Sequence, residues 1–419
     1  MIPKGWKIYR IGDFIIINPK ISLSKEGVYS FIEMKDLDSS RKYVTPSCKK
    51  NFKGGSKFCN GDTLFARITP CLENGKICQA KNLDNDAGFG STEFIVLRGK
   101  EGISDSEFIY YLSRAEYIRN AAVQNMTGTS GRQRVETSAF AEIEIVTPTC
   151  LAEQSRIASI LSSLDDKIEL NLQMNKTLEA IAQAIFKEWF VDFRFPGFDG
   201  ELVDGLPKGW SYVPIGSLFK THSGGDWGKE EQSDEFPIRV AVIRGTDFNR
   251  VNSGDVSKVP IRFIKEINAE KKKIVNGDIL LEISGGSTEQ PTGRTILITG
   301  QILKLFDCPV VPASFCRLIR PLDFNHSLFL SIFFSRFYSL GGTWEYQNQS
   351  TGISNFQFRY FAEDKKLALP NNSFMISEFG KIVGPLIEKQ IYNIVQITNL
   401  TEIRDMLLPK LMTGKIRVA

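Results

Sequence analysis

Residues 152–190 read AEQSRIASILSSLDDKIELNLQMNKTLEAIAQAIFKEWF, a stretch with neither proline nor glycine. Apolar or amide residues recur at Ile157, Leu161, Leu164, Ile168, Asn171, Asn175, Leu178, Ala182, Ile185 and Trp189, with gaps alternating between four and three residues. That period predicts one long helix with a heptad seam, which must bury itself against another helix. At about 1.5 Å per residue the helix would extend roughly 57 Å. Adding 222 to each position gives Phe379, Val383, Leu386, Gln390, Asn393, Ile397, Leu400, Arg404, Leu407 and Leu411, a second seam in the same phase. A chain with two such seams supplies its own partner. An intramolecular antiparallel coiled coil is therefore expected. Amides on a seam are costly unless paired, so Asn171, Asn175, Gln390 and Asn393 are candidates for fixing its register. The competing reading is a helical hairpin inside a larger enzyme core, against which five sustained heptads weigh.

The rest of the chain repeats as well. Pro3-Lys4-Gly5-Trp6 and Ile11-Gly12 return as Pro207-Lys208-Gly209-Trp210 and Ile215-Gly216, an offset of 204. Asn60-Gly61-Asp62 returns as Asn276-Gly277-Asp278 at 216, and Ser113-Arg114 and Pro148 return as Ser335-Arg336 and Pro370 at 222. Such a unit is far longer than a solenoid repeat, which points to a duplicated domain. Short apolar runs at 14–17, 63–65, 94–97 and 279–283, separated by turn signals, make each globule a mixed, strand-rich unit.

Composition narrows the class. Among 419 residues, 42% are hydrophobic and 30 are Phe, enough for at least two cores, and the net charge is +4. Segment 1–150 carries 21 basic and 17 acidic residues, 151–206 carries 5 and 10, 207–370 carries 20 and 17, and 371–419 carries 6 and 4. Weakly basic globules on an acidic first helix suit a polyanion partner, although an excess this small decides nothing alone. Seven cysteines without a Cys-x-x-Cys pair, and only two histidines, argue against a disulfide framework or a zinc site. With no apolar run long enough to cross a membrane, a reducing cytoplasm is expected.

Catalytic signatures are missing. Gly224-Gly225-Asp226-Trp227-Gly228-Lys229-Glu230 lacks the spacing and hydroxyl of a P-loop, and no strand is followed by a dinucleotide fingerprint. His222 and His326 are expected on the surface or in loops, and Phe361-Ala362-Glu363-Asp364-Lys365-Lys366 in a solvated turn. What remains are loops suited to nucleic acid. In residues 125–134, Thr129, Ser130, Arg132, Gln133 and Arg134 lie between glycines that allow close backbone approach. Arg suits guanine, Gln suits adenine, and hydroxyls suit phosphate. The matching segment 348–357 offers Ser350, Thr351 and Gln357, polar but different in its letters. Arg67, Thr69, Asn74 and Lys76 are further candidates in the first globule, and Ser287, Gln290, Thr292 and Arg294 in the second. For each of them a plain surface or turn role is an equal alternative.

Finally, the join Pro148-Thr149-Cys150-Leu151-Ala152-Glu153-Gln154, the following Ile157-Ala158, Asn171, Asn175 and Trp189-Phe190-Val191-Asp192-Phe193, and the ending Leu407-Leu408-Pro409-Lys410-Leu411-Met412-Thr413-Gly414-Lys415-Ile416 resemble the specificity subunits of Type I restriction-modification systems. The resemblance implies an α+β chain with pseudo-two-fold internal duplication. Its parts would be a first target-recognition domain at 1–150, a spacer helix at 151–195, a linker at 196–206, a second recognition domain at 207–370 and a second spacer helix with its tail at 371–419. It further implies double-stranded DNA as ligand, read in two halves with the helices fixing the unread gap. Two methyltransferase subunits would dock on the helices, restriction subunits would join through them, and S-adenosylmethionine, ATP and Mg would be held by those partners. The chain itself would be no enzyme. Glu153-Gln154 maps by offset onto Met375-Ile376, so that pair is not duplicated. Two other readings stay open: a fused methyltransferase or nuclease, for which Asn18-Pro19-Lys20 and Asp307-Cys308-Pro309 do not qualify as catalytic strings, and a coiled-coil scaffold with protein- or RNA-binding globules.

Overall fold

A computed structural model describes residues 2–129, 131–286, 290–350 and 353–418 of the chain. Two helices dominate, Leu151–Phe190 with 40 residues and Phe374–Met412 with 39. The second is continuous through Gly380, Gly384 and Pro385, residues that cost helix stability. Gly380 has a packing reason: a Cβ there would come within 2.2 Å of the Asn325 Oδ1.

The chain divides into two compact units, Met1–Leu170 with Asn399–Ala419, and Asn171–Thr398. In each, part of one long helix packs antiparallel on part of the other. Within the first, Ile157, Leu161 and Ile168 are buried, as are Arg404 and Leu411, while Leu164, Leu400 and Leu407 are half-buried. Arg404 Nη1 donates to Asp165 Oδ1 at 2.7 Å, and the Tyr111 hydroxyl donates to Asp165 Oδ2 at 2.7 Å, both inside the packed face. Within the second, Asn393 Nδ2 donates to Asn175 Oδ1 at 2.8 Å, Gln390 Nε2 to the Asn175 carbonyl at 3.0 Å and Asn175 Nδ2 to the Gln390 carbonyl at 3.2 Å. Asn171 donates to Gln396 Oε1. Slipping the helices by one heptad would strand these amides in apolar surroundings, so the layer specifies one register. Farther along the same pairing Ala182, Trp189, Phe379 and Val383 are buried, and Leu178, Ile185, Leu386 and Ile397 are half-buried.

The first globule holds a five-stranded sheet ordered Ile15–Ile17, Phe94–Gly99, Thr63–Ala66, Ile77–Ala80, Tyr43–Val44, and a four-stranded sheet ordered Cys48–Asn51, Val28–Ile32, Ala87–Gly90, Ser56–Cys59. Helices Ser106–Arg114 and Glu116–Gln124 precede its candidate loop. The second globule repeats the scheme with a four-stranded sheet ordered Phe219–Gly224, Cys316–Pro321, Ile279–Glu282, Thr295–Leu297, and a three-stranded one ordered Ile261–Ile264, Ile238–Ile243, Val310–Pro312. Both copies contain a parallel pair at the same place, Val28–Ile32 with Ala87–Gly90 and Ile238–Ile243 with Val310–Pro312, and the first copy has a second, Tyr43–Val44 with Ile77–Ala80.

The duplication reaches single contacts. Trp6–Arg10 pairs antiparallel with Glu144–Pro148, Trp6 facing Pro148, and Trp210–Pro214 pairs with Lys366–Pro370, Trp210 facing Pro370. Arg98 grips Asp62 through two hydrogen bonds of 2.6 and 2.7 Å, and Arg320 grips Asp278 through two of 2.8 Å. Each aspartate also caps its turn by accepting from a backbone N–H, that of Cys59 or Val275. The repeated Asn-Gly-Asp is thus a folding signal.

Two expectations need correction. His326 is buried in the first turn of helix Phe324–Ser339, where its Nδ1 lies 2.8 Å from Asp323 Oδ1; an Asp three residues upstream makes it part of a helix start, not a loop. Residues 361–364 close helix Phe358–Asp364, with Phe361 fully buried, because an aromatic there has a core to enter. His222, in contrast, is exposed on strand Phe219–Gly224.

Candidate nucleic-acid interface

In the first globule the candidate loop is a hairpin. Met126 faces Val135 and Thr127 faces Arg134, and the turn between them uses Gly128 and Gly131 at positive φ of 124° and 82°. The fold brings the Arg67–Thr69 segment beside it: Ile68 bridges to Arg134, and the Thr69 N–H donates to the Gln133 carbonyl at 3.0 Å. Two groups of residues far apart in sequence therefore share one surface.

Their arginines differ in availability. Arg134 Nε donates to both carboxylate oxygens of Glu93, at 2.9 and 3.0 Å, and Arg67 Nη2 donates to Glu136 Oε2 at 3.1 Å. Arg132 is exposed, and among the described residues its guanidinium meets no carboxylate. Thr129 is exposed, its carbonyl accepting from the Arg132 N–H, and Gln133 is half-buried. Thr69 Oγ1 sits 3.7 Å from the Met126 sulfur. Asn74 lies apart from the hairpin, lining a cavity of about 400 Å³ with Arg114, Arg119 and Asp405. Lys76 is taken up by the Met34 carbonyl at 2.9 Å, so its ammonium holds the fold together.

In the second globule Gln347–Ser350 and Ile353–Phe356 form the matching hairpin, joined on its far side by Ser284–Gly285. Gln290 is exposed, with its amide 3.4 Å from Tyr338 OH. Arg294 is locked on the buried Glu282 by hydrogen bonds of 2.9 and 2.5 Å, and that pairing raises the already high guanidinium pKa. Thr292 is fully buried, its hydroxyl donating to the carbonyls of Gly285 and Ser354, which corrects its expected role as a surface donor. Gln357 is half-buried, with its N–H on the Tyr346 carbonyl. Ser130, Ser287 and Thr351 lie outside the described residues, as does the side chain of Ser350.

Glu153 and Gln154 prove to be staples. Gln154 is fully buried and uses every polar atom: Oε1 accepts from the Asp105 N–H, and Nε2 donates to the carbonyls of Ile103 and Pro148. Glu153 accepts from Trp6 Nε1 and from Arg417. The pair fastens the start of the helix to the first globule and to the chain's tail. Among the described residues no cluster of His, Cys, Asp and Glu is placed to hold a metal ion, all seven cysteines are free, and no helix is long and apolar enough to cross a membrane.

Known proteins share this arrangement. The family described as the Type I restriction modification DNA specificity domain matches residues 3–180. Over its full length the chain is 28% identical to the Type I restriction enzyme MjaIX specificity subunit of Methanocaldococcus jannaschii, covering 95% of that protein. It is 34% identical to the EcoAI specificity subunit of Escherichia coli over 54% of this chain and 38% of that one. A crystal structure of a Type-I restriction-modification system S subunit from M. genitalium superposes with a TM-score of 0.57 at 16% identity, covering 97% of this chain and 96% of that one, which supports a common fold. Residues 3–180 thus match the Type I restriction modification DNA specificity domain, and over its whole length the chain is similar to a specificity subunit of a Type I restriction enzyme.

Proposed function

We propose that the chain reads a two-part DNA sequence, each globule recognising one half. The observation that carries this reading is the paired hairpins. Both globules present one at corresponding positions on a shared scaffold, yet residues 125–134 and 348–357 differ in nearly every polar side chain. A duplicated frame with divergent donors suits two different half-sites. As a specificity subunit the chain is not an enzyme. In this reading the paired helices are the spacer and the surface on which two methyltransferase subunits dock, and the amide layer that specifies their register supports it. Restriction subunits join through that assembly, and S-adenosylmethionine, ATP and Mg belong to the partners. Seven free cysteines accord with a cytoplasmic setting.

Replacing residues 1–147 by the corresponding globule of another specificity subunit is expected to change one half of the methylated motif and leave the other intact. Methylation-sensitive sequencing of host DNA measures this directly, and a motif altered in both halves, or in neither, would refute the division of labour. At the level of one contact, Arg132→Ala is expected to weaken DNA binding by roughly 1 to 3 kcal/mol, the range for an arginine bidentate on guanine. Wild-type affinity in that variant would remove Arg132 from the interface.

A further inference from the structure

One group of cations in the second globule has no counter-charge. Antiparallel pairing sets Gly224 opposite Arg317 and His222 opposite Ile319. Opposed residues and every second residue of a strand share a face, so His222 and Arg317 project from the same side of the sheet edge. Phe358, the buried first residue of helix Phe358–Asp364, packs between them. Its ring centroid is 5.1 Å from the Arg317 guanidinium carbon and 5.0 Å from the His222 ring. Arg359 follows and is exposed.

Of the other seven arginines in this globule six are neutralised, Arg239, Arg244, Arg250, Arg262, Arg294 and Arg320 each holding a carboxylate, and Arg336 is the exception among the described residues. Among the described residues, the side chains of Arg317 and Arg359 have neither an ion pair nor a hydrogen bond, and Arg317 Nε is buried without any acceptor. A half-buried guanidinium left in this state is unfavourable, and the face of one phenyl ring offsets only part of the cost. Burial, then Arg359, hold the Arg317 pKa below its ordinary value; burial, then Arg317 and Arg359, do the same to His222. Both shifts describe positive charge gathered where an anion is lacking.

The location gives the anion its identity. Phe358 and Arg359 come directly after strand Ile353–Phe356, at the foot of the hairpin proposed to read DNA. By the repeat offsets Arg317 corresponds to Ile95, Arg359 to Thr137 and His222 to Asn18, so the first globule has no equivalent cluster. We propose that Arg317, Arg359 and His222 clamp one backbone phosphate of DNA bound by the second globule. The clamp rests on the DNA-reading function above. A planar guanidinium matches phosphate oxygens in pairs, and the cluster would add grip on the backbone without reading sequence.

The test uses the full chain and a duplex carrying the host's methylated motif, with binding measured across a salt series. Arg317→Gln and Arg359→Gln are each expected to weaken binding roughly tenfold at about 0.1 M salt and to lower the slope of log K against log salt by about 0.9, with preference between sequences unchanged. Arg317→Lys, which keeps the charge, is expected to recover the slope. With two histidines in the chain, the His222 ring resonance is resolvable, and it is expected to shift on adding DNA to the wild type but not to Arg359→Gln. Normal affinity and slope in both Gln variants would overturn the clamp while leaving the DNA-reading function standing. Arg317→Lys as weak as Arg317→Gln would also overturn it by making the role structural. A wild-type chain that binds no duplex would remove both proposals together.

Discussion

Replacing Arg404 by Ala is expected to destabilise the first unit by about 3 to 5 kcal/mol, because it leaves the Asp165 carboxylate in a packed face with Tyr111 OH as its remaining donor. Both members of the pair are buried, at 3% and 1% exposed, so little water is available to take over. Substituting Asp165→Leu together with Arg404→Met should recover most of the loss, since removing both charges also removes the desolvation cost. A two-unit chain need not unfold in one step, so hydrogen exchange in peptides covering residues 151–170 and 399–412 is the suitable measurement. A loss below about 1 kcal/mol would mean that solvent reaches Asp165 once its partner is gone.

Phe379→Ala is expected to cost the second unit about 3 to 5 kcal/mol. Phe379 is fully buried where the helix pair meets the globule, and its ring centroid lies 5.3 Å from Phe190, 6.0 Å from Phe186, and 6.2 Å from both Trp189 and Phe329. Truncation removes the whole ring from a cluster whose edge-to-face contacts tie its helix to two others, and those neighbours cannot all collapse into the gap. Phe379→Leu keeps more of the volume and should cost distinctly less. Peptides from helix Phe324–Ser339 should show the loss of protection; if only residues 374–390 lose it, the cluster does not couple helix to globule.

These two sites show what could be read from sequence. Phe379 and Asn393 were found by adding a constant to the first seam, because a heptad repeat is a local pattern that needs no knowledge of the fold. Arg404 lies on the same seam, but its partner does not: Asp165 sits one position past Leu164, and only packing against the globule widens the buried stripe enough to include it. The interface was harder for the same reason. Nothing local indicates that Arg134 will find Glu93, Arg67 will find Glu136, or Arg294 will find Glu282, so charged residues that looked available turned out to be committed. His222 and Arg317 met through strand pairing across more than ninety residues of sequence. His326 was within reach, since Asp323 three positions upstream is an N-cap signal.

The pairing of Trp6 with Pro148, and of Trp210 with Pro370, has a genetic consequence. In each copy the polypeptide comes and goes through the same doorway, so the intervening stretch is a cartridge whose replacement asks nothing of the frame except two matching junctions. Two crossovers, one in the segment coding for Pro-Lys-Gly-Trp and one at the start of the following helix, would suffice to give the chain a new vocabulary while its grammar stays fixed.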